Sequence, residues 1–300
     1  MSETATQQVR SFNRTVTQRI GALYDKYLAR DRPLGASRVL WEIGNDGAEV
    51  RSLRFRLGLD SGYLSRLLRS LERDGLVATE SDPSDRRVRM IRLTERGRAE
   101  HAVLNERSDD LARSLLAPLS TTQRAQLVEA MGVVERLLTA SLVEIVVEDP
   151  ATEAAQTCLR SYFAELDTRF AAGFDPSLSI PAQTAELTEP AGLLLVARLR
   201  DEPIGCGALK LHGTRPAEIK RMWVSTAARG LGVGRRLLEE LEQHARRRGA
   251  HLVRLETNKT LGEAIHLYRS AGYVEVAPFN DEPYAHHWFE RRLDDVNSGL

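Results

Sequence analysis

Two stretches of this 300-residue chain carry residue types whose spacing could do chemistry. The first is Arg229-Gly230-Leu231-Gly232-Val233-Gly234. It follows the alternating run Glu218-Ile219-Lys220-Arg221-Met222-Trp223-Val224 and precedes Arg235-Arg236-Leu237-Leu238-Glu239-Glu240-Leu241. A strand, a glycine-rich turn and an amphipathic helix make a place for a phosphate. Glycine lets backbone N–H groups converge on one point. The helix start adds unpaired N–H groups and the positive end of its dipole. The order is wrong for a dinucleotide fingerprint, and no Lys-Ser/Thr follows as a Walker loop requires. The second stretch begins at Ser61. Leu64, Leu67, Leu68 and Leu71 fall on one helical face, which is the core side. Ser61, Ser65 and Arg69 fall on the other, with Gly62 and Arg66 beside them. Short polar residues and arginines on an outward helix face suit the major groove of DNA, where arginine reads guanine bidentately.

The elements that must position these residues differ between the two halves. Phe12, Val16, Ile20, Leu23 and Tyr27 recur at helical spacing, which predicts a first helix ended by Arg32-Pro33. Further helices are expected through Val39, Leu40 and Ile43, and from Leu53 to Gly58. Asp60 or Ser61 caps the helix that follows, and Gly75 closes it. Leu76–Glu80 and Val88–Leu93 read as strands around the polar turn Asp82–Arg87, so the segment is helix, turn, helix, then an arginine-tipped hairpin. Beyond Asp149-Pro150 the pattern changes to a helix (152–171), two strands joined at Asp201-Glu202, and a strand over 217–224. A long helix (232–248), a strand (252–257), a helix (261–270) and two closing strands follow. Strands first in hairpins and later alternating with helices give a mixed α+β sheet. Strand alternation puts Glu218, Lys220, Met222 and Val224 on one face if no bulge intervenes.

Composition is that of a soluble globular chain with zero formal net charge, which argues against a uniformly basic nucleic-acid binder. The charge is uneven, however: Arg51 to Arg98 holds twelve arginines against seven acids. Cys158 and Cys206, far apart in sequence, form neither a metal-ligand spacing nor a disulfide framework, so no metal and a cytoplasmic location are expected. No secretory signal is read at the N-terminus, and no apolar run approaches the roughly 20 residues that span a bilayer, so no membrane association is expected.

Residues from about Phe12 to Leu138 resemble a MarR-family transcriptional regulator. The match rests on the run Leu64 to Val77, on Asp82-Pro83-Ser84-Asp85-Arg86-Arg87 and on Ile91-Arg92-Leu93-Thr94-Glu95-Arg96-Gly97. The resemblance implies a homodimer on double-stranded DNA, read by Ser61, Tyr63, Ser65, Arg66 and Arg69, with Arg86 and Arg87 at the wing. Residues from about Val143 to Leu293 resemble the GNAT acyl-CoA transferases, on the order Arg-x-x-Gly-x-Gly and on Ala264-Ile265-His266-Leu267-Tyr268-Arg269-Ser270-Ala271-Gly272-Tyr273. That resemblance implies acetyl-CoA as cosubstrate, its pyrophosphate on the backbone N–H groups of Arg229, Gly230, Gly232, Val233 and Gly234. Val224 would pair with the pantetheine arm, and Asn258 would touch the cofactor. Glu218 would be the base and Tyr268 the acid. Asp281 and Glu282 would suit a cationic amine. The expected architecture is a mainly α winged helix-turn-helix domain over 1–140 and an α+β transferase domain over 141–300. Two functions stay open: a fused regulator and active N-acetyltransferase, or a DNA-binding sensor that holds acetyl-CoA or a ligand without turnover.

Overall fold

The computed structural model describes residues 3–24, 26–81, 89–180, 182–213 and 216–293. It divides into two compact units, Met1–Ala130 and Met131–Leu300. The dividing point falls within a helix.

In the first unit α1 (Glu3–Arg19) buries no residue and is shorter than its periodicity predicts. The chain turns at Gly21, whose φ is 68°, and Tyr27–Ala29 form only a single 3-10 turn. The expected continuous helix to Pro33 is therefore not formed: a left-handed residue breaks the ladder well before the proline does. Next come α2 (Leu34–Ile43), a two-residue strand β1 (Ala48–Glu49) that alternation is too short to reveal, and α3 (Val50–Leu57), closed by Gly58 in the left-handed region. The helix α4 (Ser61–Arg73) is capped by Asp60, whose carboxylate accepts the Tyr63 N–H at 2.8 Å. Then β2 (Val77–Ser81) and β3 (Arg89–Leu93) pair antiparallel, and β1 adds to the far edge of β3. Leu64, Leu67, Leu68 and Leu71 pack with Val39, Leu40, Ile43, Leu53 and Ile91, each leucine contributing roughly 1.5–3 kcal/mol on burial.

The run Leu93-Thr94-Glu95-Arg96-Gly97 acquires a physical reason in α5 (Glu95–Leu116). The Thr94 hydroxyl accepts the Gly97 N–H at 3.0 Å and donates to the Gly75 carbonyl at 2.7 Å. A Cβ at Gly97 would lie 1.9 Å from the Leu76 carbonyl oxygen, so only glycine lets the helix start meet the end of α4. Glu100 of α5 is buried against two arginines, with Arg30 Nη2 at 2.6 Å and Arg32 Nη1 at 2.5 Å. Burial pushes its carboxyl up, but the hydrogen bonds from Arg30 and Arg32 outweigh that and hold it below its usual range. The helix α6 (Thr121–Ala140) buries no residue.

The second unit is a seven-stranded sheet among the described residues. Its elements are β4 (Val143–Glu148), α7 (Glu153–Arg169), β5 (Gly192–Leu199), β6 (Glu202–Lys210), β7 (Ala217–Val224) and α8 (Val233–Arg247), then β8 (Leu252–Thr257), α9 (Gly262–Ser270), β9 (Val274–Val276) and β10 (His287–Arg292). The spatial order is β4-β5-β6-β7-β8-β10-β9. All neighbours run antiparallel except β7 and β8, which are parallel and in register only at Ala217↔Val253 and Glu218↔Arg254. The β5–β6 hairpin turns on Arg200 and Asp201, both at positive φ, as a two-residue turn of this hand requires. Leu237, Leu238, Leu241 and Ala245 of α8 pack on one face of the sheet with Leu193, Leu195 and Ile219. On the other face Ala155 and Cys158 of α7 pack with Leu194, Val196 and Cys206. The two cysteines, distant in sequence, are thus brought into one buried cluster as free thiols. No described helix is long and apolar enough to cross a membrane.

Candidate functional site

The site in the second unit begins with a flaw in β7. Cys206 faces Trp223 and Ala208 faces Lys220, so Arg221 and Met222 together oppose Gly207. This is a β-bulge, and Arg221 sits at φ 57°, a conformation that costs a non-glycine residue about 1–2 kcal/mol. The expected shared face of Glu218, Lys220, Met222 and Val224 is overturned by it. Before the bulge Ala217 and Ile219 point to the α8 core; after it Met222 and Val224 do, and Trp223 turns to the α7 cluster. Glu218 and Lys220 therefore lie on the opposite face from Met222 and Val224.

The bulge also ends the pairing of β7 with β8, and beyond Glu218↔Arg254 the strands part. Two cavities occupy the opening. The larger, of ≈ 550 Å³, is lined by Val224, Arg229, Gly230, Gly232, Val233, Gly234 and Arg235, with Leu261 and Tyr268 opposite. The smaller, of ≈ 90 Å³, is lined by Lys220, Arg221, Glu256, Asn258 and Tyr268, with aromatic side chains around them. Tyr268 borders both.

The glycine loop is built as an anion cradle. Gly230 and Gly232 stand at φ 81° and 75°, and a Cβ on either would meet open space, so it is the backbone angle that demands glycine here. The Arg229 N–H is spent on Thr226 O at 3.4 Å and that of Leu231 on Ala228 O at 3.4 Å. The first helical N–H with a backbone partner is that of Arg236, bonded to Gly232 O at 3.1 Å, which leaves the amides of Val233, Gly234 and Arg235 free at the start of α8. The Arg235 guanidinium donates to Ser270 Oγ at 2.6 Å and has no carboxylate partner among the described residues. Arg229 turns away instead: its Nη2 meets Glu165 Oε1 at 2.5 Å and its Nε donates to the Val224 carbonyl at 3.3 Å. Glu165 also accepts from Trp223 Nε1 at 2.9 Å, so one carboxylate of α7 ties the loop to the end of β7.

Tyr268 is buried, packed between Tyr273 and Phe289 with ring centroids 6.0 Å away on each side. Burial raises its phenol well above the ordinary tyrosine value. Glu218 lines neither cavity; it stands at the closed end of the split, with Lys220 Nζ and His212 Nε2 each 3.5 Å away. Two carboxylates line the smaller cavity, Glu256 and Glu282; the Oε1 of Glu256 pairs with Lys220 and its Oε2 is buried without a partner among the described residues. Sequence reasoning missed Glu256. The signal was present in β8, where Val253 and Leu255 face the core and Glu256 must face Lys220 across the parallel split. Asn258 lines the smaller cavity rather than the larger, and its side chain is committed to Tyr284 O and to Thr260. Glu282 is likewise occupied, by Ser179 Oγ and Ile180 N–H.

In the first unit Ser61, Tyr63, Ser65, Arg66 and Arg69 are all exposed, on the face of α4 opposite its four buried leucines. Arg66 lies over the Tyr63 ring at 5.6 Å, and Arg69 Nε donates to Ser65 O at 3.1 Å. Arg56 instead fastens to the Glu42 carbonyl at 2.7 Å. Arg86 and Arg87 lie outside the described residues.

The acetyltransferase (GNAT) family model matches residues 159–273, and the MarR family model matches residues 31–88. The N-alpha-acetyltransferase RimI of Mycobacterium tuberculosis is 34% identical over 125 residues, covering 41% of this chain and 73% of that protein. The organic hydroperoxide resistance transcriptional regulator of Bacillus subtilis is 31% identical over 104 residues, covering 35% and 67%. This chain joins a MarR-family segment to a GNAT-family acetyltransferase segment. A third relative, the IAA acetyltransferase of Azospirillum brasilense, is 40% identical over 99 residues, 33% of this chain and 63% of that protein. The chain thus spans less than two thirds of that acetyltransferase. The range that the acetyltransferase model matches takes in both the glycine loop and α9 with Tyr268.

Proposed function

We propose that the second unit transfers an acetyl group from acetyl-CoA to an amine, and that the first binds double-stranded DNA as a homodimer. The observation that carries the transferase reading is Tyr268, standing where a cavity headed by free backbone amides meets a cavity holding an unpartnered carboxylate oxygen. The cradle suits a pyrophosphate: the loop angles require glycine, the α8 amides are free, and Arg235 adds an unpaired positive charge. When bound, acetyl-CoA supplies a thioester whose carbonyl carbon accepts the amine. Glu256 takes the proton that the amine nitrogen loses as the C–N bond forms. Tyr268 gives its phenolic proton to sulfur as the C–S bond breaks, and solvent returns the proton from Glu256 to Tyr268, so both residues end as they began. Burial raises the phenol, and the same desolvation raises a thiolate expelled beside it, which keeps donor and acceptor matched. Val224 and the amides of Gly230, Gly232, Val233 and Gly234 serve the cofactor; Asn258 lines the smaller cavity, and Glu218 holds Lys220 from outside it.

For the first unit, the exposed row Ser61, Tyr63, Ser65, Arg66 and Arg69 enters the major groove. Helices α1 and α6 bury nothing and expose Val9, Phe12, Val16, Val128, Met131, Leu137 and Leu138, which a second copy of the chain covers. The domain boundary is placed at 140/141, where α6 ends. Calorimetric titration with acetyl-CoA tests the cofactor reading: saturable heat that Gly232→Val abolishes is expected, and no heat with the wild-type chain refutes it.

A further inference from the structure

The smaller cavity holds one cation that has no carboxylate partner among the described residues. Lys220 is neutralised by Glu256 and Glu218. Glu282 is committed to hydrogen bonds, its Oε2 accepting from Ser179 Oγ and the Ile180 N–H and its Oε1 from the Tyr284 N–H at 3.4 Å. Arg221 is different. Its guanidinium lies over Phe163 at 4.7 Å and over Tyr162 at 5.8 Å, and it has no carboxylate partner among the described residues. The aromatic faces hold the cation and strip part of its water, and Tyr162, which bonds to it, offers a phenol and no charge. Its backbone sits in the left-handed region at the bulge, an arrangement that sets an arginine in the cavity wall where a plain strand residue would point elsewhere. Part of the remaining wall is aromatic, with Phe170, Phe174 and Tyr284 having ring centroids within 5.8 Å of one another and Tyr162 also lining the cavity, while Ser179, Thr257 and Asn258 add polar side chains. At another point on the same wall stands Glu256 Oε2, buried and unpartnered.

A small cavity lined by a guanidinium with no carboxylate partner among the described residues, a carboxylate oxygen without a hydrogen-bond partner and several aromatic side chains is complementary to a zwitterion. We propose that the acceptor is a small free α-amino acid with an apolar side chain, its carboxylate held by Arg221 and its amino group presented to Glu256. The planar guanidinium fork takes a carboxylate bidentately, which a lysine in its place cannot do. This assignment rests on the transferase reading for its chemistry but not for its binding, and the two can fail separately.

The test compares phenylalanine, phenylalaninamide and phenethylamine, which share the amine and the ring and differ at the carboxylate. CoA release from acetyl-CoA is measured alongside calorimetric binding of each probe in the presence of CoA. Phenylalanine is expected to exceed both other probes at least tenfold in kcat/KM and in affinity. Arg221→Met should remove that preference, mostly through KM, with acetyl-CoA affinity kept, since Arg221 does not line the larger cavity. Arg221→Gly is the second variant: it accepts the positive φ without strain, so its loss of the preference cannot be ascribed to a collapsed bulge. Equal turnover or equal binding of the three probes overturns the assignment, and equal turnover leaves the transferase reading standing. Preferential, Arg221-dependent binding of phenylalanine with no CoA release does the reverse: it supports the carboxylate site and refutes the transferase.

Discussion

At the scale of single residues, the account turns on which carboxylate works with Tyr268. Glu218 is the strand glutamate that sequence alone singles out, but the last registered pair of β7 and β8 is Glu218↔Arg254, so it stands where the sheet is still closed. Glu256 stands two residues past that pair, on the cavity wall. Glu256→Gln is therefore expected to lower kcat about 100-fold, the ordinary contribution of a positioned acid or base, while Glu218→Gln changes it by less than about threefold. Steady-state CoA release decides, and the opposite ranking would return the base to Glu218. Tyr268 was singled out by the resemblance of the α9 run, and it lines one cavity with the glycine loop. For Glu256, alternation in β8 gives only the face, opposite Val253 and Leu255; its place on the cavity wall depends on a pairing that stops, and a one-dimensional pattern does not show where a register ends.

At the scale of elements, the packing of α5 on α4 and the acid-sensitive tie at Glu100 can each be measured. Gly97→Ala should destabilise the first unit by about 1–3 kcal/mol, the usual cost of overpacking, because the Leu76 backbone cannot yield to a Cβ. An unchanged denaturant midpoint would contradict the close approach. The Glu100 carboxyl is held below its usual range, so its contribution is full above the unfolded-state value and is lost as pH falls through the lower folded value. Glu100→Gln should cost about 3 kcal/mol near neutral pH by leaving two arginines unanswered, and the difference from wild type should shrink under acid. A difference constant with pH would show that the ion pair is not the cause. Helix α4 was legible almost residue for residue, because cap, leucine stripe and closing glycine each carry a local signal: Asp60, Leu64 to Leu71, Gly75. The end of α1 was not, since Gly21 is a single glycine in a helical pattern and outranks a proline twelve residues later. The bulge at Arg221 was not either, because it is defined by Gly207 on the next strand rather than by any residue of β7.

At the scale of the whole molecule, a MarR-family winged helix and a GNAT-family transferase share one chain, each built around its own core. Arg66→Ala with Arg69→Ala should weaken binding to double-stranded DNA and make the salt dependence shallower by nearly one unit per lost phosphate contact. An unchanged slope and affinity would remove α4 from the interface. The central claim is that the glycine cradle, Tyr268 and the split sheet together transfer an acetyl group to an amine. The measurement that bears on it most directly is amine-dependent release of CoA from acetyl-CoA by wild type and by Tyr268→Phe. The account predicts that release requires added amine and falls about 100-fold in Tyr268→Phe, with acetyl-CoA affinity nearly unchanged. Release that is independent of amine, or equal in the two proteins, would contradict it.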